Sequence, residues 1–134
     1  MRTSSLKAKG RRLCQAVKDL MLQGVTHLQD DDIIVTSSGD TGEDLKLSPA
    51  ARAVYPVAIE CKNQEKLNIW KALEQAESHS EKHTPVLFFS RNRSKIYATM
   101  EAQSLVSLYK ANDELKTLCD TLLSQLETLK GKDI

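Results

Sequence analysis

The chain has 134 residues, of which 40% are hydrophobic and 28% charged, and its formal net charge is +1 at pH 7. These values are typical of one globular domain large enough to bury a core. The sequence contains no apolar run of roughly 20 residues, so no membrane span is expected. Its polar, basic start does not resemble a secretory signal peptide, so none is expected. Cys14, Cys61 and Cys119 form no CxxC pair, so neither a zinc site nor a disulfide framework is indicated, and a reducing cytoplasm is expected.

The distribution of basic residues is more informative than the net charge. One cluster near the N-terminus contains no acidic residue and consists of Arg2, Lys7, Lys9, Arg11 and Arg12. A second cluster consists of Arg91, Arg93 and Lys95. Local basic patches on a nearly neutral chain are typical of phosphate binding, and also of an ordinary solvated face. Both interpretations stay open on charge alone.

In the first half of the chain, the patterns predict a helix over 5–23, a strand over 33–36, a polar loop over 37–42, a strand over 43–47 and a short helix from 49 to about 54. The first helix follows from apolar residues at spacings of three, four and seven, and Gly24 suits its end. The last one follows from Ser48 as cap and Pro49 at the first helical position.

In the second half, the patterns predict a strand over 57–63, a helix over 67–79, a strand over 86–89, a basic turn over 91–94, a strand over 95–100, a helix from 101 and a last helix from 112. Asn112 is expected to cap that last helix, and Trp70 to anchor the core. His79 and His83 have a spacing that suits a metal, but their polar surroundings predict solvated side chains. The leucines between 115 and 129 form a stripe that packs on its own domain or on a second copy; both alternatives remain.

The strand over 57–63 ends in an acid and a lysine that share one face, Glu60 and Lys62. Asp44 lies on the preceding predicted strand and faces away from its leucine neighbours, so the two carboxylates converge if these strands pair. Mg²⁺ prefers hard oxygen ligands, which Asp44, Glu60 and the backbone carbonyl of Cys61 would supply. Lys62 can orient the attacking water or stabilise charge on a phosphate. The pattern indicates magnesium-dependent phosphodiester hydrolysis; the alternative is a plain ion pair at a strand edge.

Five stretches within residues 9–97 carry a resemblance to a known group of enzymes. They are Lys9-Gly10-Arg11-Arg12, Ser37-Ser38-Gly39, Glu43-Asp44, Glu60-Cys61-Lys62-Asn63 and Gln75. Together they resemble the PD-(D/E)XK nuclease superfamily, and within it the archaeal-type and phage-encoded Holliday junction resolvases. The stretch over 59–76 is similar to the phage branch in particular.

The resemblance implies an α/β fold with a restriction-endonuclease-like αβββαβ core, in which helices flank a central mixed sheet. It implies one nuclease domain over residues 1–134, with a C-terminal helical extension over about 101–130. Asp44 and Glu60 would bind Mg²⁺, for which Mn²⁺ can substitute. Lys62 would assist catalysis, Gln75 would support the site, and Ser38 would touch DNA from its loop.

Two departures from the family pattern concern the metal site. Relatives often carry a glutamate on the first helix, where the nearest candidate in this chain is Gln15, and an amide cannot supply the charge for a second metal. Asp44 also lacks the preceding proline of the motif, because Glu43 stands there and can compete with Asp44 as a ligand.

The function expected from these observations is resolution of four-way (Holliday) junctions in DNA recombination and repair. The expected DNA contacts are Lys9, Arg11, Arg12, Ser38, Arg91, Arg93 and Lys95, in a sequence-independent, salt-dependent mode. Two symmetric cuts require a homodimer. Neither a membrane nor a nucleotide cofactor is expected, and the location is the cytoplasm, that of the host if the chain is phage-encoded. The alternatives are another nicking or repair endonuclease of the superfamily, or a non-catalytic module for DNA binding and dimerisation.

Overall fold

The computed structural model describes residues 3–36 and 42–132. The chain divides into two compact units, residues 1–100 and residues 101–134. The first contains α1 (Thr3–Gly24), a 3₁₀ turn (Asp30–Asp32), β1 (Ile33–Val35), β2 (Leu45–Leu47), α2 (Pro49–Val54), β3 (Val57–Asn63), α3 (Ile69–His79), β4 (Thr84–Ser90) and β5 (Tyr97–Thr99). The second contains α4 (Ala102–Lys132).

The strands of the first unit form a three-stranded mixed sheet and a separate two-stranded pair. β3 runs parallel to β4, with α3 as the connection between them, and β4 runs antiparallel to β5. β1 and β2 pair antiparallel. The described residues therefore form an α/β unit with a mixed sheet and helices, followed by a C-terminal helix, which confirms the α/β class predicted from the sequence.

The core lies between α1 and the strands. Val17, Ile33, Leu45 and Ile59 are all fully buried, as the apolar periods of the helix and the strands predict. The predicted start of α2 is confirmed, since the Ser48 hydroxyl accepts a hydrogen bond from the amide of Ala51 at 3.1 Å.

The end of α1 is fixed by a close approach between two segments. The hydroxyl of Tyr55 donates to the carbonyl of Met21 at 2.8 Å, within the last turns of α1. A Cβ atom at Gly24 would lie 3.2 Å from that hydroxyl, a tighter contact than is usual. Glycine therefore suits this position because it leaves room for the tyrosine hydroxyl.

The core-facing side of α3 differs from the prediction for Trp70. Ala72 and Ala76 are the buried residues of this helix, whereas Trp70 is 80% exposed. At 100° per residue, Trp70 lies about 200° around the helix from Ala72, so it faces solvent when the alanines face the sheet. The prediction of a core tryptophan was wrong because small residues, not the largest one, allow α3 to approach the sheet.

α4 is one continuous helix of 31 residues, and the prediction of two helices with Asn112 as a cap was wrong. Neither proline nor glycine occurs between Ala102 and Lys130, and a single asparagine inside a helix costs less than about 1 kcal/mol. None of the described residues of α4 is buried. Across residues 3–36 and 42–132, no helix combines the length and apolar character needed to cross a bilayer.

Candidate active site

Glu60 is the centre of a buried polar cluster on β3. Its side chain is only 4% exposed, and its two carboxylate oxygens have different partners. The Lys62 Nζ atom lies 3.6 Å from Oε1, and the His79 Nδ1 atom lies 3.4 Å from Oε2. Glu60 and Lys62 share a face because they are two residues apart on a strand. His79 reaches them from the last turn of α3.

The position of His79 corrects the prediction that this histidine is solvated. It follows Ala72 and Ala76 at helical spacings of four and three, so it continues the buried side of α3. Its spacing from His83 was the signal considered from the sequence, and that signal was misleading. The useful signal was the alignment of His79 with the two alanines.

The environment of Glu60 opposes its negative charge. Burial, followed by the charge of Asp44, raises the pKa of Glu60 above its ordinary value, while His79 and Lys62 act in the opposite direction. A buried carboxyl whose charge is opposed by burial and by a neighbouring acid is typical of a functional centre.

Asp44 is held against the edge of β3 by its backbone and its side chain. Its amide donates to the carbonyl of Ile59 at 3.0 Å, and its Oδ2 atom accepts the amide hydrogen of Cys61 at 2.7 Å. From the other side, the amide of Thr36 donates to the Asp44 carbonyl at 3.0 Å. The expected pairing of whole strands is not what brings Asp44 here, because β2 begins one residue later and pairs with β1.

The same edge of β3 also presents the carbonyl of Cys61. Within a strand residue, the amide and the carbonyl point to the same side. The amide of Cys61 is directed at Asp44, so its carbonyl faces this edge and not β4. The Cys61 carbonyl therefore lies on the same edge of β3 as Asp44.

Carboxylate and carbonyl oxygens lie on or beside this edge, and oxygen is the ligand atom that a hard divalent cation prefers. One oxygen of Asp44 accepts the hydrogen bond from the Cys61 amide, and the buried carboxylate of Glu60 and the Cys61 carbonyl are the other protein oxygens. Mg²⁺ needs only one or two carboxylates with a carbonyl and keeps several waters. Asp44, Glu60 and the carbonyl of Cys61 are the residues that would hold it.

Glu43 is engaged elsewhere and does not compete with Asp44. The guanidinium of Arg52 lies 3.1 Å from Glu43 Oε2 and also donates to the carbonyl of Val57. This pair ties the segment before β2 to the start of β3. The ligand role that the sequence left open for Glu43 is therefore not supported by its position.

The first helix contributes a thiol to this site instead of an amide. Gln15 is exposed and donates to Asp19 at 3.0 Å, so the structure does not bring it to the metal-binding edge. Its neighbour Cys14 is buried, and ligand atoms of Cys14, Asp44 and Cys61 lie within 4.8 Å of one another. Neighbouring side chains of a helix point in directions that differ by 100°. Cys14 therefore faces the strands and Gln15 does not.

Cys14 was missed because two cysteines 47 positions apart in the sequence form no recognisable motif. The hydrogen bond from Cys14, together with burial, raises the pKa of the Cys61 thiol. The same contact lowers the pKa of the Cys14 thiol, so Cys14, and not Cys61, is the sulfur of this pair that ionises more easily beside Asp44.

Gln75 lies on the exposed side of α3, where it shares a cleft with Lys62. The cleft has a volume of about 270 Å³ and is also lined by Gln64, Asn68 and Lys71. The structure therefore brings Gln75 near the open end of the Lys62 side chain. It does not place Gln75 against the buried carboxylate of Glu60, where His79 lies instead.

The two basic clusters of the sequence meet in space. Lys9 Nζ donates to the Asn92 side chain at 2.8 Å, which joins α1 to the turn between β4 and β5. The expected DNA contacts outside this hydrogen bond are all exposed and are Arg11, Arg12, Arg91, Arg93 and Lys95. Ser38 lies outside the described residues. The basic residues on the two sides of this hydrogen bond are here called the joined basic surface.

Arg93 adopts a backbone conformation that favours glycine. Its φ angle is +62°, in the left-handed region. Non-glycine residues there cost roughly 1 kcal/mol or more. The turn between β4 and β5 therefore carries a cation where glycine would be the more stable choice, which is a pattern seen where a side chain has a function.

Comparison with protein-family models, with curated proteins and with solved structures gives no match. A function for this chain must therefore be argued from its own residues.

Proposed function

We propose that this chain is a magnesium-dependent, structure-specific DNA endonuclease with a restriction-endonuclease-like core, which cleaves four-way junctions in DNA recombination or repair. The observation that carries the proposal is the buried Glu60 beside Lys62, with Asp44 hydrogen-bonded to the next residue of the same strand. A buried acid costs stability unless a partner or a ligand neutralises it. Its position next to a second acid and a lysine is the arrangement that metal-assisted phosphodiester hydrolysis needs.

Each residue of the site has a distinct role in this proposal. Mg²⁺, or Mn²⁺ in its place, would when bound polarise a phosphate oxygen and lower the pKa of a coordinated water. Asp44 and Glu60 position their oxygens for the ion. The ammonium group of Lys62 stays within 3.6 Å of Glu60, where it orients the attacking water and stabilises negative charge on the phosphate.

His79 is a further member of the site. Its Nδ1 atom lies 3.4 Å from Glu60 Oε2, on the oxygen that Lys62 leaves free. A histidine in this position fixes the rotamer of the carboxylate, as residues behind a metal ligand do. Gln75, at the cleft beside Lys62, is placed to contact the substrate or its water.

The joined basic surface supplies the DNA contacts. Arg and Lys side chains on phosphates give affinity that depends on salt and little on base sequence. That mode suits an enzyme that recognises the shape of branched DNA. Two symmetric cuts need two active sites, so the working form is a homodimer, acting in the cytoplasm that contains the DNA, without a nucleotide cofactor.

The test compares cleavage of a labelled four-way junction, a flap and a linear duplex at equal salt, with Mg²⁺ and with EDTA. We expect the wild-type chain to cut the junction in Mg²⁺ alone. We expect Asp44→Asn and Glu60→Gln to bind the junction normally and to lose cleavage by at least about 1000-fold. Binding is followed by the fluorescence of Trp70, the one tryptophan of the chain, which is exposed.

Glu114→Gln is the matched control, since Glu114 is an exposed acid on α4 whose partner is Lys110. It should cleave at the wild-type rate. Wild-type cleavage by either site variant would contradict the metal site. Equal cleavage of duplex and junction would favour a nicking or repair endonuclease, and no cleavage by the wild type would favour a non-catalytic DNA-binding module.

A further inference from the structure

The leucines of α4 follow a heptad repeat over the whole helix. Because α4 begins at Ala102 and not at residue 112, the repeat extends over four heptads instead of two. The first core position (a) of successive heptads is occupied by Leu105, Asn112, Cys119 and Leu126. The second core position (d) is occupied by Leu108, Leu115, Leu122 and Leu129. Repeats sustained over three to four heptads are typical of coiled coils.

All six leucines of this seam are between 47% and 60% exposed. Seven-residue spacing keeps them on one side of a supercoiled helix, so they form one continuous apolar surface about 40 Å long at 1.5 Å per residue. A surface of this kind needs a partner helix with the same repeat.

We infer that α4 pairs with α4 of a second copy of this chain as a parallel, in-register, two-stranded coiled coil, with Asn112 facing its counterpart and Cys119 facing its counterpart. The inference concerns association and does not depend on the proposed nuclease activity. It specifies which surface forms the dimer and how the two helices are oriented. The requirement for two symmetric cuts determines neither of these.

Asn112 determines the orientation. In a parallel pair, each a position faces the same position of the partner helix, so the two Asn112 amides can donate to and accept from each other. In an antiparallel pair, a positions face d positions, and every d position here is a leucine. Asn112 would then lose its partner in an apolar layer, which is costly. A single asparagine at an a position is known to select the parallel, two-stranded form.

The flanking positions agree with the parallel arrangement. In a parallel pair, the residue before one core position (g) contacts the residue five positions later (e) on the partner. The resulting pairs are Ser104 with Tyr109, Ala111 with Lys116, Leu118 with Leu123, and Gln125 with Lys130. The two flanking leucines, 53% and 58% exposed, thus meet each other, and none of these pairs joins two like charges.

The first test measures association of the full chain by sedimentation equilibrium. The wild type should be a dimer at micromolar concentration. Leu115→Lys combined with Leu122→Lys places four charges in the seam and should raise the dissociation constant at least 100-fold. Thr117→Lys combined with Ser124→Lys adds the same charge on the outer side of the helix and should leave the dimer intact. A monomeric wild type, or a dimer unaffected by the leucine changes, would overturn the inference.

The second test reads the orientation from Cys119, which is exposed, whereas Cys14 and Cys61 are buried. Oxidised glutathione should convert the wild-type dimer to a disulfide-linked dimer: two Cys119 thiols form one S–S bond, and the glutathione disulfide takes up the two electrons and two protons as two molecules of glutathione. Cys119→Ser should give no linked dimer.

The result to look for is a linked dimer as the main product on non-reducing gels, reversed by dithiothreitol. A chain that dimerises by sedimentation yet yields only the mixed disulfide of Cys119 with glutathione would overturn the parallel register. Because neither experiment involves cleavage, a nuclease that fails the junction assay would leave this result untouched.

Discussion

α1 and α4 carry the same kind of apolar stripe and have opposite burial. On α1, Leu13 and Val17 are 3% and 0% exposed, and they face the strands of the first unit. On α4, Leu115 and Leu122 are 60% and 49% exposed. Helical periodicity therefore identifies the side of a helix that needs a partner, but it does not identify the partner.

The finer difference between the two stripes lies in their period and their exceptions. The stripe of α1 mixes spacings of three, four and seven and includes Cys14, which reaches the site around Asp44. The stripe of α4 keeps a strict seven-residue repeat and interrupts it with Asn112 and Cys119. A strict repeat is the signature of a helix that supercoils with another. Matched substitutions in the first unit and in α4 test whether the first serves folding and the site while the second serves association.

The largest effect is expected from lysine substitutions. Lys62→Met removes the ammonium group beside Glu60 and should reduce junction cleavage about 100- to 1000-fold, the usual loss for a group that stabilises developing charge. Lys110→Met on α4 removes an exposed lysine and should cleave normally. Single-turnover cleavage with saturating junction checks both, and a Lys62 variant within a factor of about three of wild type would contradict the assigned role.

The next effect concerns packing. Leu13→Ala opens a cavity in the core and should lower the free energy of unfolding of the first unit by about 3 kcal/mol. Leu115→Ala should change that unfolding by less than about 0.5 kcal/mol and should weaken dimerisation instead. Urea denaturation followed by pulse proteolysis of the first unit, at two protein concentrations, distinguishes the two outcomes. Equal destabilisation of the first unit by both changes would contradict the comparison.

A smaller change in the free energy of unfolding is expected when the charge of Glu60 is removed, and this change is a gain in stability. Burial and Asp44 raise the pKa of this carboxyl in the folded chain, so the folded state keeps a proton at pH values where the unfolded chain has released it. The stability of the wild type should therefore rise as the pH falls through the raised pKa towards 4.5, the ordinary value.

Glu60→Gln has no charge to bury. Without metal, it should be more stable than the wild type at neutral pH by roughly 1 kcal/mol, and the difference should vanish at acid pH. Thermal denaturation in EDTA across this pH range measures it. Glu114→Gln, on α4, should show no such pH-dependent gain; a wild type that is more stable than Glu60→Gln at neutral pH would contradict the argument.

The smallest effect concerns the turn between β4 and β5. Arg93→Gly relieves a positive φ angle and should stabilise the first unit by up to about 1 kcal/mol, while it removes one phosphate contact and lowers the salt slope of DNA binding by about one. Arg91→Gly also removes one positive charge, but Arg91 has no positive φ angle to relieve, so no gain in stability is expected. Fluorescence titrations at several salt concentrations, with melting curves, compare them. Unchanged DNA affinity in both variants would remove this turn from the binding surface.

The sequence predicted most of the elements because their signals are local. The cap at Ser48, the end of α1 at Gly24 and the apolar strand before Glu60 all depend on nearest neighbours, and all are present in the structure. The errors, at Trp70 and Asn112, arose where a side-chain type suggested a role that helix phase overrode. Trp70 is large but on the wrong side of α3, and Asn112 is polar but lies inside a continuous helix.

The candidate site was predictable only in part, for a related reason. Glu60 and Lys62 share a face because side chains alternate along a strand, and this alternation can be read directly from the sequence. His79 and Cys14 join the site through the tertiary packing of α3 and α1; the spacing of His79 from Ala72 and Ala76 indicated its buried side but not its partner. The position of Asp44 was expected from strand pairing, but it arises from individual hydrogen bonds to Ile59 and Cys61.

The hydrogen bonds between Thr36 and Asp44 have a practical consequence for engineering. The amide and the hydroxyl of Thr36 both donate to the Asp44 carbonyl, at 3.0 and 3.1 Å, so the segment between them is closed at its base independently of its length. Each doubling of such a segment adds only about 0.6 kcal/mol of closure entropy. A peptide tag or a fluorescent label inserted between residues 37 and 41 should therefore leave Asp44 in place, which makes this the preferred point for attaching a reporter close to Asp44 and Glu60.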